Sequence, residues 1–279
     1  MANHVFRQVD VFTTVAFKGN PLAVVTRADH LSERQMAAIA NWMNLSETTF
    51  LMAPTHAGAD YKVRIFTPER ELAFAGHPTL GSCHVWLEMG GAAKNDPIVQ
   101  ECGAGLVRIK RDKGRLAFAA PPLRRSGDVA LDLVHRVAQA LRIAPAAIKA
   151  SQWVDNGPGW LAAMLSTKAE VLALRPDFPL LDGQPLGVIA PWDAARDGSE
   201  AHFEVRAFIT TRAAEDPVTG SLNAGLAQWL IGAGLAPDAY VVSQGTQLGR
   251  AGRVNVAHTS DAIWIGGDTV TCIEGTISV

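Results

Sequence analysis

One carboxylate, Glu47, stands in surroundings that suit acid–base chemistry. It lies between Leu45 and the β-branched and apolar run at 48–51, so we expect partial desolvation. Desolvation raises the pKa of a carboxyl group towards the range of a general acid or base. The alternative is a capping role, because Asn44 and Glu47 have the spacing of a capping box. The β-branched residues that follow argue against a helix there.

Two other segments combine Gly and Pro with imidazole or hydroxyl groups where helices are predicted to begin. They read Gly-His-Pro-Thr at 76–79 and Asp-Pro-Val-Thr-Gly-Ser at 216–221. A helix start offers unpaired backbone N–H groups and the positive end of the helix dipole, which suit a carboxylate or an oxyanion. The alternative is ordinary capping, with Thr79 and Ser221 as the cap residues.

His77 and Asp216 are the ionisable side chains of these segments. Imidazole exchanges protons near neutral pH, although a single histidine often only completes a hydrogen-bond network. Asp216 is either a second functional carboxylate or the N-cap of the next helix, and taken alone its position favours the cap. The three cysteines, Cys83, Cys102 and Cys272, are far apart and form no C-x-x-C spacing. We therefore predict neither a disulfide framework nor a metal site.

Hydrophobic periodicity predicts the elements that must position these side chains. The predicted elements are two strands within 5–25, a helix over 31–43 capped by Ser32, strands at 48–51 and 61–67, helices over 76–90 and 131–141, and a loop at 191–198. The helix at 76–90 is apolar on most faces, so we expect it to be a buried central helix.

The second half of the chain repeats the first. Residues 205–208 echo 63–66, and Trp229 echoes Trp86, with offsets of 142 and 143 residues. Chance similarity between two strand–helix units is the alternative. We predict a duplicated domain, in which the two helix starts are pseudo-symmetric and the functional site lies between the halves. The Pro pair at 121–122 is the natural end of the first domain.

Composition excludes several classes of function. The 279 residues carry a formal net charge of −2, and no basic run exceeds two residues, so a nucleic-acid surface is not supported. No apolar run approaches the roughly 20 residues of a membrane helix, and the first residues lack a signal peptide pattern. No phosphate-binding glycine motif precedes a helix. We expect a cytoplasmic protein that binds neither nucleic acid, membrane nor nucleotide.

The motifs together resemble the PhzF-like isomerase family of phenazine biosynthesis, over nearly the whole chain. The resemblance rests on the segments at 19–21, 44–47, 64–68, 75–81, 215–221 and 244–250. It implies an α/β (α+β) protein of diaminopimelate-epimerase-like fold, with two pseudo-symmetric domains that each wrap a curved sheet or barrel around a central helix. The predicted domains are 1–122, joined by a returning segment at 263–279, and 123–262.

The same resemblance implies roles for individual residues. Glu47 matches the catalytic carboxylate, and His77 and Asp216 match supporting catalytic residues. The expected substrate-binding residues are Asn20, Gly76, Gly220 and Ser221. Related epimerases place one thiol near each helix start, and this chain has no cysteine at those positions. Two-thiol racemisation is therefore not expected. The resemblance also implies a homodimer without a cofactor.

The function that the resemblance implies is isomerisation of a small carboxylate-bearing substrate, with Glu47 moving a proton between carbons. Trans-2,3-dihydro-3-hydroxyanthranilate is the substrate in the phenazine pathway. An amino-acid epimerase with another base pair, and a small-molecule-binding protein without turnover, are the alternatives. The segment Asp-Asn-Gly-Pro-Gly-Trp at 155–160 replaces the family's usual Asn-Thr-Gly type of loop. This departure leaves the substrate open more than the reaction class.

Overall fold

The computed structural model describes residues 3–112 and 114–279 of the chain. These residues form two compact units. The first unit comprises the described residues up to Ala119 together with Gly266–Val279, and the second unit comprises Ala120–Ile265. The domain limits expected from the sequence, at residues 122 and 263, stay a prediction.

The elements of both units follow one another as mixed α and β structure. The strands are β1 (Asn3–Val11), β2 (Asn20–Val25), β3 (Glu47–Met52), β4 (Tyr61–Phe66), β5 (Glu71–Leu72), β6 (Ile98–Cys102), β7 (Gly105–Asp112), β8 (Arg115–Ala119), β9 (Arg125–Asp128), β10 (Ala150–Asp155), β11 (Leu161–Met164), β12 (Leu186–Pro191), β13 (Phe203–Ile209), β14 (Ala214–Asp216), β15 (Ala239–Gln244), β16 (Gly252–His258), β17 (Ile263–Gly267) and β18 (Thr269–Ser278). The α-helices are α1 (Glu33–Met43), α2 (Gly76–Glu88), α3 (Leu131–Leu141), α4 (Lys168–Ala173), α5 (Ala194–Asp197) and α6 (Gly220–Gly232).

The first unit is a sheet folded against one central helix. Strand β1 pairs antiparallel with both β18 and β2, and β2 continues in parallel with β3. Next, β4 pairs antiparallel with β3 and β5 and in parallel with β6, after which β7 and β8 follow antiparallel. Helix α2 contacts β1, β2, β3, β4, β8 and β18. Strands therefore surround α2, as expected of a buried central helix.

The second unit repeats this order of pairings. Strand β10 pairs antiparallel with β9 and β11, and β11 lies parallel to β12. Strand β13 pairs antiparallel with β12 and β14 and in parallel with β15, which is followed by antiparallel β16. Helix α6 contacts β10 and β16. The repeat in the sequence is therefore a repeat of topology.

An ion pair occupies the same place in each repeat. Arg64 on β4 binds Glu71 on β5 through two hydrogen bonds of 2.7 and 2.6 Å, and Arg206 on β13 binds Glu215 on β14 through two of 3.0 and 2.7 Å. Such two-pronged pairs fix geometry as well as charge. Each pair holds the short strand that leads into the central helix. The copies differ in burial, because the Arg206 side chain is 6% exposed and the Arg64 side chain 23%.

A glycine lets each central helix approach its sheet closely. Gly81 and Gly225 both lie five residues after the first residue of their helix. A Cβ at Gly81 would lie 2.6 Å from Cδ2 of Leu22, and one at Gly225 would lie 2.2 Å from the carbonyl oxygen of Val154. The Val154 carbonyl is backbone, so only glycine fits at position 225, whereas a Cβ at position 81 would require the buried Leu22 side chain to shift.

Helix α1 has the predicted cap. The Ser32 hydroxyl accepts from the Gln35 N–H at 3.3 Å, and the Gln35 side chain accepts from the Ser32 N–H at 3.0 Å, which completes a capping box. The helix ends at Asn44, whose φ of 53° is left-handed. The prediction of a helix over 31–43 is confirmed.

The predicted loop at 191–198 was partly wrong. Pro191 ends β12, and residues 194–197 form the four-residue helix α5. Its start is stabilised by Asp193, whose carboxylate accepts from the Ala195 N–H at 3.0 Å. A single helical turn is too short to show periodicity in the sequence. Among the helices of the described residues, none is long and apolar enough to span a membrane.

Candidate active site

In the first unit, three chain segments begin close together. Strand β2 begins at Asn20 and β3 at Glu47, and their parallel pairing sets Leu22 opposite Glu47. Helix α2 packs against both strands. Because Glu47 opens a strand, the capping-box alternative for it was wrong. The left-handed residue Asn44 ends α1 three residues earlier and turns the chain into β3.

Glu47 faces His77 across the start of α2. The Nε2 atom of His77 lies 3.3 Å from Oε2 of Glu47, and the two side chains are 5% and 15% exposed. The Asn20 side-chain amide lies 3.4 Å from Nδ1 of His77. An amide nitrogen only donates hydrogen bonds, so Nδ1 accepts and the single proton of a neutral imidazole is on Nε2. The Nε2 atom lies close to Oε2 of Glu47, but their contact does not have the geometry of a hydrogen bond.

Burial keeps this imidazole neutral. It lowers the pKa of His77 to about 3, because a charged ring is costly away from water. At physiological pH, His77 is therefore a neutral hydrogen-bond donor rather than a cation. Asn20, which was expected to bind the substrate, is the first residue of β2 and is completely buried. Its side chain is committed to His77.

The first turn of α2 presents backbone donors. The N-cap residue, Ala75, makes no side-chain cap, and the N–H groups of Gly76 and His77 come too early in the helix to have an intrahelical partner. Pro78 has no N–H group. The alternative role of Thr79 as a cap was wrong, because the residue lies inside the helix, where its hydroxyl donates to the Ala75 carbonyl at 2.9 Å.

A buried polar network stabilises the first turn of α2. The Gln100 side chain, wholly buried on β6, donates to the Thr79 hydroxyl at 3.0 Å and accepts from the Tyr61 hydroxyl at 3.0 Å. The Cys83 thiol lies in the same buried layer, and burial raises its pKa to about 12. Cys83 is therefore a protonated thiol at neutral pH. Sequence reasoning missed the role of Gln100, since no local motif links it to Thr79.

The second unit contains the remaining predicted residues. Asp216 ends β14, and its Oδ2 accepts from the Thr219 hydroxyl at 2.6 Å. The Thr219 hydroxyl in turn accepts from the Gln244 amide at 2.9 Å. Thr219 is the N-cap of α6, so the N-cap alternative for Asp216 was wrong. The Gln244 amide, the Thr219 hydroxyl and the Asp216 carboxylate are thus hydrogen-bonded in that order.

Gln244 is the counterpart of Gln100. It is completely buried, and its side-chain oxygen accepts from the Thr219 N–H at 3.1 Å and from the Asn223 amide at 2.9 Å. Asn223 and Thr79 are both the fourth residue of their central helix. In each unit, a buried glutamine from the strand after the helix therefore fixes the helix start. The sequence contained a Gln-Gly motif at 244–245, although its role was not predicted.

Ser221 is the second residue of α6, so the alternative role of Ser221 as a cap was wrong. Its hydroxyl accepts from the Trp160 indole N–H at 3.0 Å, and its carbonyl accepts from the Asn156 amide at 2.8 Å. The loop at 155–160 therefore lies against the start of α6. The N–H groups of Gly220 and Ser221 again come too early in the helix for intrahelical partners.

Each unit thus gathers its own predicted residues at one helix start. In the first unit, His77 lies within 3.4 Å of Asn20 and 3.3 Å of Glu47, and it directly follows Gly76. In the second unit, Asp216 and Ser221 flank Gly220. Among the described residues, no group of three His, Cys, Asp or Glu side chains has a metal-binding arrangement.

The sequence from residue 9 to residue 275 matches the PhzC-PhzF family, described as phenazine biosynthesis-like protein. The chain belongs to the PhzF family. It is 36% identical to the Schizosaccharomyces pombe protein Antisense-enhancing sequence 1, over 99% of both chains. It is 31% identical to the trans-2,3-dihydro-3-hydroxyanthranilate isomerase of Pseudomonas fluorescens, also over 99% of both chains. The predicted family is confirmed. Relatives in this family are named as isomerases, and this chain is an isomerase.

Solved structures agree on the PhzF fold. A phenazine biosynthesis protein of the PhzF family from Enterococcus faecalis superimposes with a TM-score of 0.82 and 25% identity over 100% of both chains. A probable proline racemase from Agrobacterium radiobacter K84 superimposes with a TM-score of 0.61 and 16% identity, over 99% of this chain and 93% of that one. The second likeness concerns the fold alone. The predicted diaminopimelate-epimerase-like fold is confirmed.

Proposed function

We propose that this PhzF family member is a cofactor-independent isomerase that moves a proton between two carbons of a small carboxylate-bearing substrate. Trans-2,3-dihydro-3-hydroxyanthranilate, on which the Pseudomonas fluorescens relative is named to act, represents the substrate class. The observation that carries the proposal is the pair formed by Glu47 and neutral, buried His77, with 3.3 Å between Oε2 and Nε2.

Glu47 is the proposed acid and base. Its carboxylate takes a proton from one carbon, and the electrons of that C–H bond form a new double bond. The electrons of the old double bond then take the proton back from the Glu47 carboxyl group at another carbon. Substrate and product have the same oxidation level, so the step needs no electron carrier. The 15% exposure of the Glu47 side chain leaves the carboxylate within reach of a bound molecule.

The other predicted residues bind and orient the substrate in this proposal. His77 donates its Nε2 proton beside Glu47, and Asp216 orients the amino or hydroxyl group of the substrate. The backbone N–H groups of Gly76 and Gly220, with the Ser221 hydroxyl, serve as donors to its oxygen atoms, and Asn20 acts through His77. One positioned acid–base group contributes about 10²–10⁴-fold. Positioning and these fixed donors supply the remaining acceleration.

A single base is favoured over an epimerase with two. In the first unit, β3 begins with Glu47, whereas the start of β12 in the second unit reads Pro-Leu-Gly at 185–187. A carboxylate is thus present in only one of the two repeats at this place. Cys83, the cysteine within α2, is a protonated thiol because burial raises its pKa to about 12. These observations favour isomerisation on one face of the substrate.

Turnover of trans-2,3-dihydro-3-hydroxyanthranilate tests the proposal. The wild type, Glu47→Gln and the control Glu274→Gln are compared by ultraviolet absorbance and by NMR in D₂O. Glu274 is a surface carboxylate of the same unit, with 66% of its side chain exposed. We expect wild-type and control turnover, and a loss of about 10²–10⁴-fold in Glu47→Gln. Unchanged turnover in Glu47→Gln, or none in the wild type, would contradict the proposal.

From the family resemblance we further propose that the protein is a cytoplasmic homodimer with a role in phenazine biosynthesis. Light scattering of the purified chain tests the dimer, with an expected mass near twice the monomer mass of 29.7 kDa. A single species at the monomer mass across the micromolar concentration range would reject it. Loss of phenazine production on deletion of the gene, in a host that makes phenazines, would test the pathway.

A further inference from the structure

In the first unit, one donor residue decides where His77 carries its proton. Asn20 directly follows Gly19, whose N–H donates to Oδ2 of Asp10 at 2.9 Å. The Asn20 amide then donates to Nδ1 of His77, at 3.4 Å. His77 is the second residue of α2.

The second unit has a residue in the same place. Trp160 directly follows Gly159, whose N–H donates to Oδ1 of Asp155 at 2.6 Å. Trp160 directly precedes β11, just as Asn20 opens β2. Its indole N–H donates to the hydroxyl of Ser221 at 3.0 Å, and Ser221 is the second residue of α6. Both repeats thus direct a side-chain N–H from the start of the second strand to the second residue of the central helix.

The consequence for Ser221 follows from the capacity of a hydroxyl group. A serine hydroxyl has one hydrogen to donate and two lone pairs that accept, whereas an indole N–H only donates. Trp160 therefore occupies a lone pair of Ser221 and leaves its hydrogen unused. Within residues 3–112 and 114–279, no side chain or carbonyl group accepts that hydrogen.

We propose that Trp160 is a positioning residue that holds the Ser221 hydroxyl as a hydrogen-bond donor to the carboxylate of the substrate. The inference rests on the proposed function, because it concerns the same substrate. It adds a residue that the PhzF resemblance did not assign. Hydrogen bonds to an ionised carboxylate are stronger than those between neutral groups.

The surroundings of Trp160 fix its indole. The side chain is only 1% exposed. Two further hydrogen bonds stabilise its loop. Oδ1 of Asp155 also accepts from the Gly157 N–H at 2.7 Å, and the Gly159 carbonyl accepts from the Gln184 amide at 2.7 Å. Asn156 holds the Ser221 carbonyl from the same loop. The Trp160 N–H is therefore set before the substrate arrives.

Steady-state kinetics with trans-2,3-dihydro-3-hydroxyanthranilate test the inference. The variants are Trp160→Phe, Ser221→Ala and the double variant. The matched control is Trp192→Phe, which removes an indole N–H that bonds Glu204 at 3.1 Å in the same unit. The loss of one net hydrogen bond corresponds to about a fivefold change in a binding constant. We expect Trp160→Phe to raise KM about fivefold, Ser221→Ala to raise it about tenfold, and the double variant to match Ser221→Ala, since coupled residues are not additive.

Binding of anthranilate and of anthranilamide gives a test that needs no turnover. These molecules differ only in a carboxylate and a neutral amide, and calorimetry with NMR of the Trp160 indole N–H follows both. We expect tighter binding of anthranilate in the wild type, loss of that preference in Ser221→Ala, and a shift of the indole resonance in Ser221→Ala without ligand. We expect Trp192→Phe to keep the preference.

The outcomes separate the two proposals. Carboxylate preference that depends on Trp160 and Ser221, in a wild type without turnover, would retain this inference and reject the isomerase substrate. Turnover with equal KM in Trp160→Phe and Trp192→Phe would retain the isomerase and overturn the inference. Independent, multiplying effects of the two substitutions would also overturn it. Thermal melting identifies any variant that does not fold. If Trp160→Phe does not fold, the measurements on Ser221→Ala test the inference.

Discussion

His77 shows how one contact sets the state of a titratable group. Asn20 occupies Nδ1 and burial removes water, so the ring carries one proton, on Nε2, which lies 3.3 Å from Oε2 of Glu47. Burial lowers the pKa of His77 to about 3 from an ordinary value of 6.5. A neutral imidazole places no positive charge beside the Glu47 carboxylate, which suits the proposed role of Glu47 as a base.

The low pKa of His77 predicts a pH dependence of stability. The unfolded chain binds a proton at His77 below about pH 6.5, whereas the folded chain binds it only near pH 3. The free energy of unfolding should therefore fall as the pH falls through this range. Urea unfolding at pH 7 and pH 5 measures the effect, which should be smaller in His77→Gln than in the wild type.

The control for this experiment is His135→Gln, because His135 is an exposed residue of α3 in the second unit. Its pH dependence should match that of the wild type. NMR of the imidazole nitrogens should show His77 protonated at Nε2 alone from pH 5 to pH 8. A His77 titration midpoint near 6.5 would contradict the assignment.

Gln244 is the residue on which the start of α6 depends most. Gln244→Leu keeps the side-chain volume similar but leaves the Thr219 N–H and the Asn223 amide without their acceptor. Each buried group left unsatisfied costs about 1–3 kcal/mol, so we expect about 2–5 kcal/mol of lost stability. Chemical denaturation measures it. The exposed Gln247→Leu is the control, and equal loss in both variants would refute the role of the network.

At the scale of elements, the approach of helix to sheet depends on glycines. Gly225 and Gly232 lie in the same helix, but a Cβ at Gly225 would meet the Val154 carbonyl at 2.2 Å, and one at Gly232 would meet nothing within 4 Å. We expect Gly225→Ala to destabilise by more than about 2 kcal/mol through overpacking. Gly232→Ala should stabilise by up to about 1 kcal/mol. Opposite signs in urea unfolding are the expected outcome, and equal effects would contradict the tight packing.

The sequence predicted the elements whose signals are local. The apolar helix that begins at Gly76, the cap at Ser32 and the strand at 61–67 all follow from neighbouring residues. The candidate site residues were predicted where motif and helix start coincide. The capping alternative for Thr79 and Ser221 was wrong, because both residues lie inside their helices. The helices instead begin three residues and one residue earlier, at glycines.

The rest depends on contacts that are distant in sequence. Gln100 reaches Thr79 because β6 runs parallel to β4 beside the central helix. Trp160 reaches Ser221 over 61 residues. No spacing rule connects these residues, and their polar atoms could have been paired in many other ways. Only the strand order of the fold selects the observed partners.

At the scale of the whole chain, the two units share a plan and differ in burial. The Arg206–Glu215 pair has side-chain exposures of 6% and 8%, whereas the Arg64–Glu71 pair has 23% and 36%. Breaking a buried pair leaves an uncompensated charge at a cost of about 3–5 kcal/mol, while exposed pairs contribute about 0–1 kcal/mol.

Equivalent substitutions should therefore have unequal effects in the two units. We expect Arg206→Met to destabilise the protein by about 3 kcal/mol or more, and Arg64→Met by about 1 kcal/mol or less. Urea unfolding monitored by circular dichroism compares them. Arg206 also donates to the carbonyls of Val171 and Leu174 at 3.1 and 2.9 Å, which adds to its cost. Equal losses in the two variants would show that burial does not distinguish the pairs.

Strand β18 brings residues from beyond the second unit back to β1, where it pairs from Asn3 to Val11. The second unit is continuous in sequence, but the first unit is not. During synthesis on the ribosome, residues 120–265 emerge and can fold while β1 still has an open edge. The half that carries Glu47 acquires its last strand only when residues 269–278 have left the exit tunnel. The unit that contains Glu47 is thus completed only after the other unit has been made.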